Sequence, residues 1–211
     1  VGSTSSDSIG DNQNTAIATI SKEQRQLLLR VARQQARTFL TGRAAANQSD
    51  ETAVQRVQGR FGGAFVTLYN QNRLRGCVGS FTPTSDIVTT VKSVTRSSLR
   101  DSRFETCPVT ADELPQLTIE ISLLTDPQPT DHPASLVLGV DGILVRRGNK
   151  SGCFLPKVAS DRNWSVAEFL SNCCTMKAGL PADAWKQKGA QVYLFRADVF
   201  NDRDAPKTQT R

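Results

Sequence analysis

One histidine, one methionine, two tryptophans and two tyrosines stand among 211 residues. With His132 alone, zinc fingers and histidine-rich metal centres lack their ligands, and a Cys-His dyad would have no other imidazole to draw on. Five cysteines stand at 77, 107, 153, 173 and 174, and none forms a C-x-x-C pair, so ribbon-type zinc spacing is absent too. An odd, unpatterned set of thiols in a chain this long fits a reducing compartment better than a disulfide framework. No run approaches the roughly 18 apolar residues of a membrane span, and the N-terminus lacks a basic segment followed by an apolar core. The chain opens on Val1 rather than Met, which is compatible with a removed leader. P-loop, G-x-G-x-x-G, H-E-x-x-H and paired-carboxylate signatures are all missing. These absences set the expectation of a cytoplasmic protein with no membrane association, no resident cofactor and no metal.

What is present begins with charge. The net +6 is concentrated between Ser21 and Arg75, which carries +7, while the first twenty residues carry −2. Such asymmetry permits an anionic partner without demanding one. Residues 1–20 are rich in Ser, Thr, Asn, Asp and Gly and read as a flexible tail; 201–211 read as a polar tail. Between them, 21–200 form the domain.

Ser21 and Gln24 make a capping box that opens a helix ending near Gly42, with Leu27, Leu28, Val31, Ala32, Ala36 and Phe39 inward and Arg30, Arg33 and Arg37 on a solvated face. After a polar connector over 44–58, a hairpin joins Phe65–Tyr69 to Leu74–Gly79 through Asn70-Gln71-Asn72. A second helix lies within Pro83–Arg100, with Thr84 or Ser85 as its cap. Leu117 to Leu123 is apolar at every odd position, a half-buried strand whose other face shows Thr118, Glu120 and Ser122. Asp141-Gly142 signals a hairpin between Leu136–Val140 and Ile143–Arg147. A strand ends at Pro156, a helix opens at Ser165 and stops at Gly179, and Gln191–Phe200 reads as one last strand. Segregated helices and hairpin-linked strands predict an α+β fold with a mostly antiparallel sheet and flanking helices.

The candidate site is Leu74-Arg75-Gly76-Cys77-Val78-Gly79. Period-2 geometry sends Arg75 and Cys77 to one face, and a guanidinium beside a thiol can lower its pKa. Cys77 is the candidate nucleophile, or else a small hydrophobe in a strand. Arg75 must reach solvent, pair with a carboxylate or bind an anion, and Glu120 is its natural partner if the strands share a sheet. Cys77, Arg75 and Glu120 are the catalytic candidates. Gly76, Gly79, Thr67 and Ser122 are the substrate-binding candidates, the two glycines also being able to admit a packed helix or mark a bulge. Lys177 and Trp185 read as structural, and Cys173-Cys174 point too far apart on a helix to share a ligand.

These residues resemble the AMMECR family over about Ser21 to Phe200. The resemblance rests on Gly63-Ala64-Phe65-Val66-Thr67-Leu68 and the Leu74–Gly79 motif in tandem, supported by Asp101-Ser102-Arg103-Phe104, Glu120 to Leu124, Phe154-Leu155-Pro156-Lys157-Val158-Ala159, and Lys177 to Pro181 followed by Trp185. Val78 stands where isoleucine is usual, Ser97-Ser98 where small alanines are common, and Ser102 where proline is frequent. The resemblance implies a larger and a smaller lobe with the L-R-G-C motif toward the cleft between them. It also implies association with Memo-like and radical SAM proteins. It supplies no reaction.

Three readings follow. An enzyme or enzyme accessory would use the cleft on a small anionic or acyl substrate. An adaptor would hold a Memo-like or radical SAM partner there. A nucleic-acid-binding protein would use the basic first third, although only Phe61, Phe65 and Tyr69 interleave its arginines. The coincidence of a cation and a thiol favours the first.

Overall fold

The computed structural model describes residues 20–43, 57 and 59–203. The two predicted tails and the connector over 44–58 therefore lie outside the described residues, apart from Ile20, Val57 and the structured positions 201–203.

Helix α1 (Lys22–Thr41) starts where the capping box requires: the Gln24 N–H donates to Ser21 Oγ at 3.3 Å, and the Ser21 N–H to Gln24 Oε1 at 2.7 Å. It ends at Gly42, whose φ of 67° suits glycine. Strands β1 (Gly63–Asn70) and β2 (Arg73–Ser80) form the expected hairpin, with positive φ at Gln71 and Asn72 as a tight two-residue turn requires. Helix α2 (Ile87–Ser98) is capped by Asp86, which accepts the Thr89 N–H, rather than by Thr84 or Ser85. Strand β3 (Leu117–Leu124) is the predicted alternating strand, and β8 (Ala197–Asn201) completes an antiparallel sheet of order β2-β1-β3-β8. Both helices pack on one face of it, burying Leu28, Val66, Leu68, Val91, Ile119 and Ile121 in one core.

The smaller lobe is a second antiparallel sheet of order β4-β7-β5-β6, built from β4 (Gln128–Thr130), β5 (Gly142–Arg147), β6 (Lys150–Phe154) and β7 (Gln191–Phe195). Its core gathers Ile143, Val145, Phe169, Leu170, Cys173 and Cys174 beneath α4 (Val166–Asn172) and a π-helical turn over Cys173–Ala178. A short helix α3 (Lys157–Arg162), which the sequence reading does not anticipate, follows Pro156 directly.

Two predicted elements differ. The Asp141-Gly142 hairpin does not form: Val137 and Val140 are 56% and 45% exposed, so a strand there would bury little, and Asp141 instead closes a turn by accepting the Val137 N–H at 2.8 Å. Strand β5 pairs with β6 and β7. The single last strand is two, divided at Arg196, so that β7 belongs to the smaller sheet and β8 to the larger.

The lobes meet through a seam in which Phe65, Phe81 and Phe195 stack edge to face, with centroids 5.4 and 5.0 Å apart, beside Leu124, Leu144 and Leu155. Along the same face of β1 the residue after next is Thr67 and then Tyr69, so an apolar seam gives way to a polar cleft.

Candidate functional site

The registers of the larger sheet place Cys77, Thr67, Glu120 and Asn201 in one transverse row: Thr67 pairs with Cys77 on one side and Glu120 on the other, and Glu120 with Asn201. Neighbours in such a row lie about 5 Å apart. The Thr67 hydroxyl donates to Cys77 Sγ at 3.3 Å. Tyr69, two residues along, stands on the same face.

The charge that meets this row comes from the other lobe. Lys157, at the start of α3, brings Nζ to 2.5 Å from Glu120 Oε1 and to 3.3 Å from the Tyr69 hydroxyl. Burial works to depress the Lys157 pKa, but the hydrogen bond and charge of Glu120, with Tyr69 assisting, carry it above its ordinary value. Lys157 is therefore an ammonium, a donor and counter-charge rather than an amine nucleophile. Burial, and then the Glu120 charge, raise the Tyr69 pKa against the opposing pull of Lys157, so the phenol keeps its proton. Together with Thr118 and Arg203 these groups line a pocket of about 290 Å³.

Arg75 is elsewhere. Leu68 pairs with Gly76 and Tyr69 with Leu74, leaving Arg75 as the extra residue of a bulge in β2. The bulge breaks the period-2 assignment that placed Arg75 beside Cys77. Its guanidinium instead binds Glu113 at two points, 2.9 and 2.8 Å, donates to the Pro108 carbonyl and lies 3.8 Å from Cys107 Sγ. The expected Arg75–Glu120 pair does not form, because Glu120 is taken by Lys157 and Glu113 lies within reach of the bulge.

The other candidates divide. Thr67 and Ser122 are buried on the cleft face, 4% and 1% exposed, and the Ser122 hydroxyl has no hydrogen-bond partner among the described residues. Gly76 faces the helices: a Cβ there would lie 2.1 Å from the Ser98 carbonyl oxygen. Gly79 accommodates the Phe65 ring, which a Cβ would meet at 2.2 Å. His132 is exposed, and its carbonyl accepts from Ser135 in a surface turn. Asp101 accepts the Cys77 N–H at 2.9 Å and pairs with Arg103, which donates to the Cys77 carbonyl, so the two hold the backbone of the motif in place.

Lys157 and Tyr69 are the site residues that sequence reasoning passes over. Lys157 lies in the quoted F-L-P-K-V-A stretch, and a lone cation directly after a strand-ending proline was the available signal. Cys153 has its thiol pushed up to about 11 by burial, and burial raises Cys173 further still. Among the described residues no group of three or more His, Cys, Asp or Glu could hold a metal ion, and no helix is long and apolar enough to cross a membrane.

Two antiparallel sheets that share an aromatic seam and enclose a lysine-bridged polar pocket define a two-lobed α+β protein with its cleft between the lobes. The chain belongs to the AMMECR1 family, whose sequence model matches residues 29–200. A protein of Methanothermobacter thermautotrophicus is 34% identical over 192 residues, spanning 88% of this chain and 97% of the relative. Protein PH0010 of Pyrococcus horikoshii is 40% identical over 151 residues, 66% of this chain and 72% of its own. The crystal structure of PH0010, described as an uncharacterized protein, matches with a TM-score of 0.74 at 32% identity, covering 86% of this chain and 93% of that one.

Proposed function

We propose that the cleft is the site of an enzyme acting on a small anionic or acyl substrate, with the substrate's oxygen on Lys157 and Tyr69 and its reacting carbon toward Cys77. The observation that carries this reading is the Lys157 ammonium, which crosses from the smaller lobe to Glu120 and Tyr69 over the row that contains Cys77. Two donors converging on one point suit a carboxylate or a developing oxyanion. Thr67 orients the thiol through its hydrogen bond. The anion-binding role expected of Arg75 passes to Lys157, whose ammonium lies in the pocket beside Tyr69 and Glu120, whereas Arg75 is turned away from it onto Glu113.

In the acyl case the Cys77 sulfur bonds to the carbonyl carbon, the thiol proton leaves with the departing group, and water hydrolyses the thioester to free acid and thiol.

The test compares alkylation of Cys77 by iodoacetate and by iodoacetamide, in a background where Cys107 is serine. An anion site favours iodoacetate, and Lys157→Met should lower the iodoacetate-to-iodoacetamide rate ratio about tenfold. An unchanged ratio, or an inert Cys77 in the folded protein, would overturn the reading.

A further inference from the structure

A second pocket, of about 730 Å³, lies on the larger lobe where the C-terminal half of α1, the β1–β2 turn, the segment before β3 and the end of β8 converge. Three arginines line it, and they are used differently. Arg33 is fully engaged: it forms an ion pair with Asp202 and donates to the carbonyls of Leu114 and Leu117. Asp202 in turn accepts the Ile119 N–H at 3.0 Å. Residues 201–203 are thus part of the fold rather than the start of a tail, and Arg33 leaves the solvated face assigned to it to join three segments into a pocket floor.

Arg37 stands one turn further along α1, on the same side. It is exposed, and its guanidinium has no hydrogen-bond or ion-pair partner among the described residues. The Arg203 guanidinium donates to a neutral acceptor, Asn72 Oδ1, at 3.2 Å, and has no carboxylate partner among the described residues. Among the described residues the one carboxylate in the lining, Asp202, is already neutralised by Arg33, so two cationic forks face the same space with no other described counter-charge. Gln71 and Gln116 add neutral donors and acceptors at its rim. No aromatic ring lines it among the described residues, so these offer no stacking platform for nucleobases. Its volume is that of a small-molecule site.

We propose that this pocket binds a compact ligand carrying at least two phosphate or carboxylate groups, held between Arg37 and Arg203 over the Arg33–Asp202 floor. The site is separate from the pocket around Lys157 and Glu120, with which, among the described residues, it shares Thr118 and Arg203 as walls. Two guanidinium groups set apart on different elements select a ligand with two anionic ends rather than one, and a single-stranded nucleic acid would find phosphate contacts but no place for its bases.

The experiment is calorimetric titration of the whole protein with inorganic pyrophosphate, citrate and a twelve-residue oligothymidylate, at 50 and 200 mM salt. Pyrophosphate or citrate should bind, and Arg37→Ala and Arg203→Ala should each weaken binding about tenfold. Arg96→Ala, which removes an exposed charge elsewhere, and Lys157→Met, which disables the cleft, should each change it less than about twofold. Absence of binding by both small anions, or equal loss in Arg96→Ala, would overturn the proposal. So would oligothymidylate binding more tightly than pyrophosphate with a steep salt dependence, which would make the surface a nucleic-acid groove. Loss in Lys157→Met together with retention in Arg37→Ala would assign the binding to the cleft instead.

Discussion

Arg75 meets Glu113 through both arms of its guanidinium, Nε to Oε2 at 2.9 Å and Nη2 to Oε1 at 2.8 Å, with each side chain more than four-fifths buried. The same carboxylate accepts from Asn70 at 2.8 Å and from the Thr110 N–H at 3.1 Å. Every strong acceptor position on Glu113 is thereby used, and the pair ties the bulge in β2 to the short turn before β3. This is a structural clamp on the motif strand, placed away from the cleft.

Breaking one side of that clamp should be costly. Glu113→Gln leaves a mostly buried guanidinium without a counter-charge, and the expected loss is about 3 kcal/mol in urea unfolding. The double variant Arg75→Met with Glu113→Gln should recover part of it, because no charge is then stranded. A double variant that loses the sum of the two single effects would show that the two residues do not act as a pair.

Acid should loosen the same region. Glu113 is held at about 2 by the Arg75 hydrogen bonds, below its ordinary value of 4.5. For Asp101, burial pushes upward, but Arg103 and the Cys77 N–H outweigh it and hold the group at about 2, below 3.8. Both pKa values are lower in the folded protein, so each carboxylate contributes its full stabilisation above the ordinary value and loses it as the pH falls toward 2. Each is worth about 2–3 kcal/mol by that linkage. The urea midpoint should therefore be flat from pH 7 to about 5 and fall below it, and Glu113→Gln should show a shallower fall. An equally steep fall in that variant would assign the acid sensitivity to other groups.

Tyr69 reports directly on the cleft. With Tyr193→Phe, it is the sole tyrosine, so its ionisation can be followed by absorbance near 295 nm. Glu120 raises its pKa and Lys157 lowers it. Glu120→Gln should accordingly shift the titration down, and Lys157→Met should shift it up. Shifts in the same direction for both variants would mean that the two charges do not bear on the phenol as the geometry requires.

Much of the scaffold is legible in the residues themselves. Ser21 with Gln24 and the glycine at 42 mark both ends of α1, Gln71-Asn72 lies at the hairpin turn, and the apolar alternation of Leu117, Ile119, Ile121 and Leu123 assigns both faces of β3. From these comes the α+β class, while the pairing of Thr67 with Glu120 across β1 and β3 is set by the register of the sheet. Gly76 and Gly79 illustrate a limit. Their necessity is visible, but whether they admit a ligand, a helix carbonyl or an aromatic ring depends on what packs above them, and the answers here are the Ser98 carbonyl and Phe65.

Local patterns encode periodicity and chain reversal because those depend on neighbours a few residues apart, and this sequence determined α1, α2, the start of α4, its first hairpin and its central strand in that way. The tertiary structure decided which charges meet. A single extra residue in β2 re-aimed Arg75, which no period-2 pattern can express, and Lys157 reached Glu120 across 37 positions because the smaller lobe closes over the larger. The division of the last strand at Arg196 likewise follows from two sheets competing for one segment, a contest settled by packing rather than by the propensities of its residues.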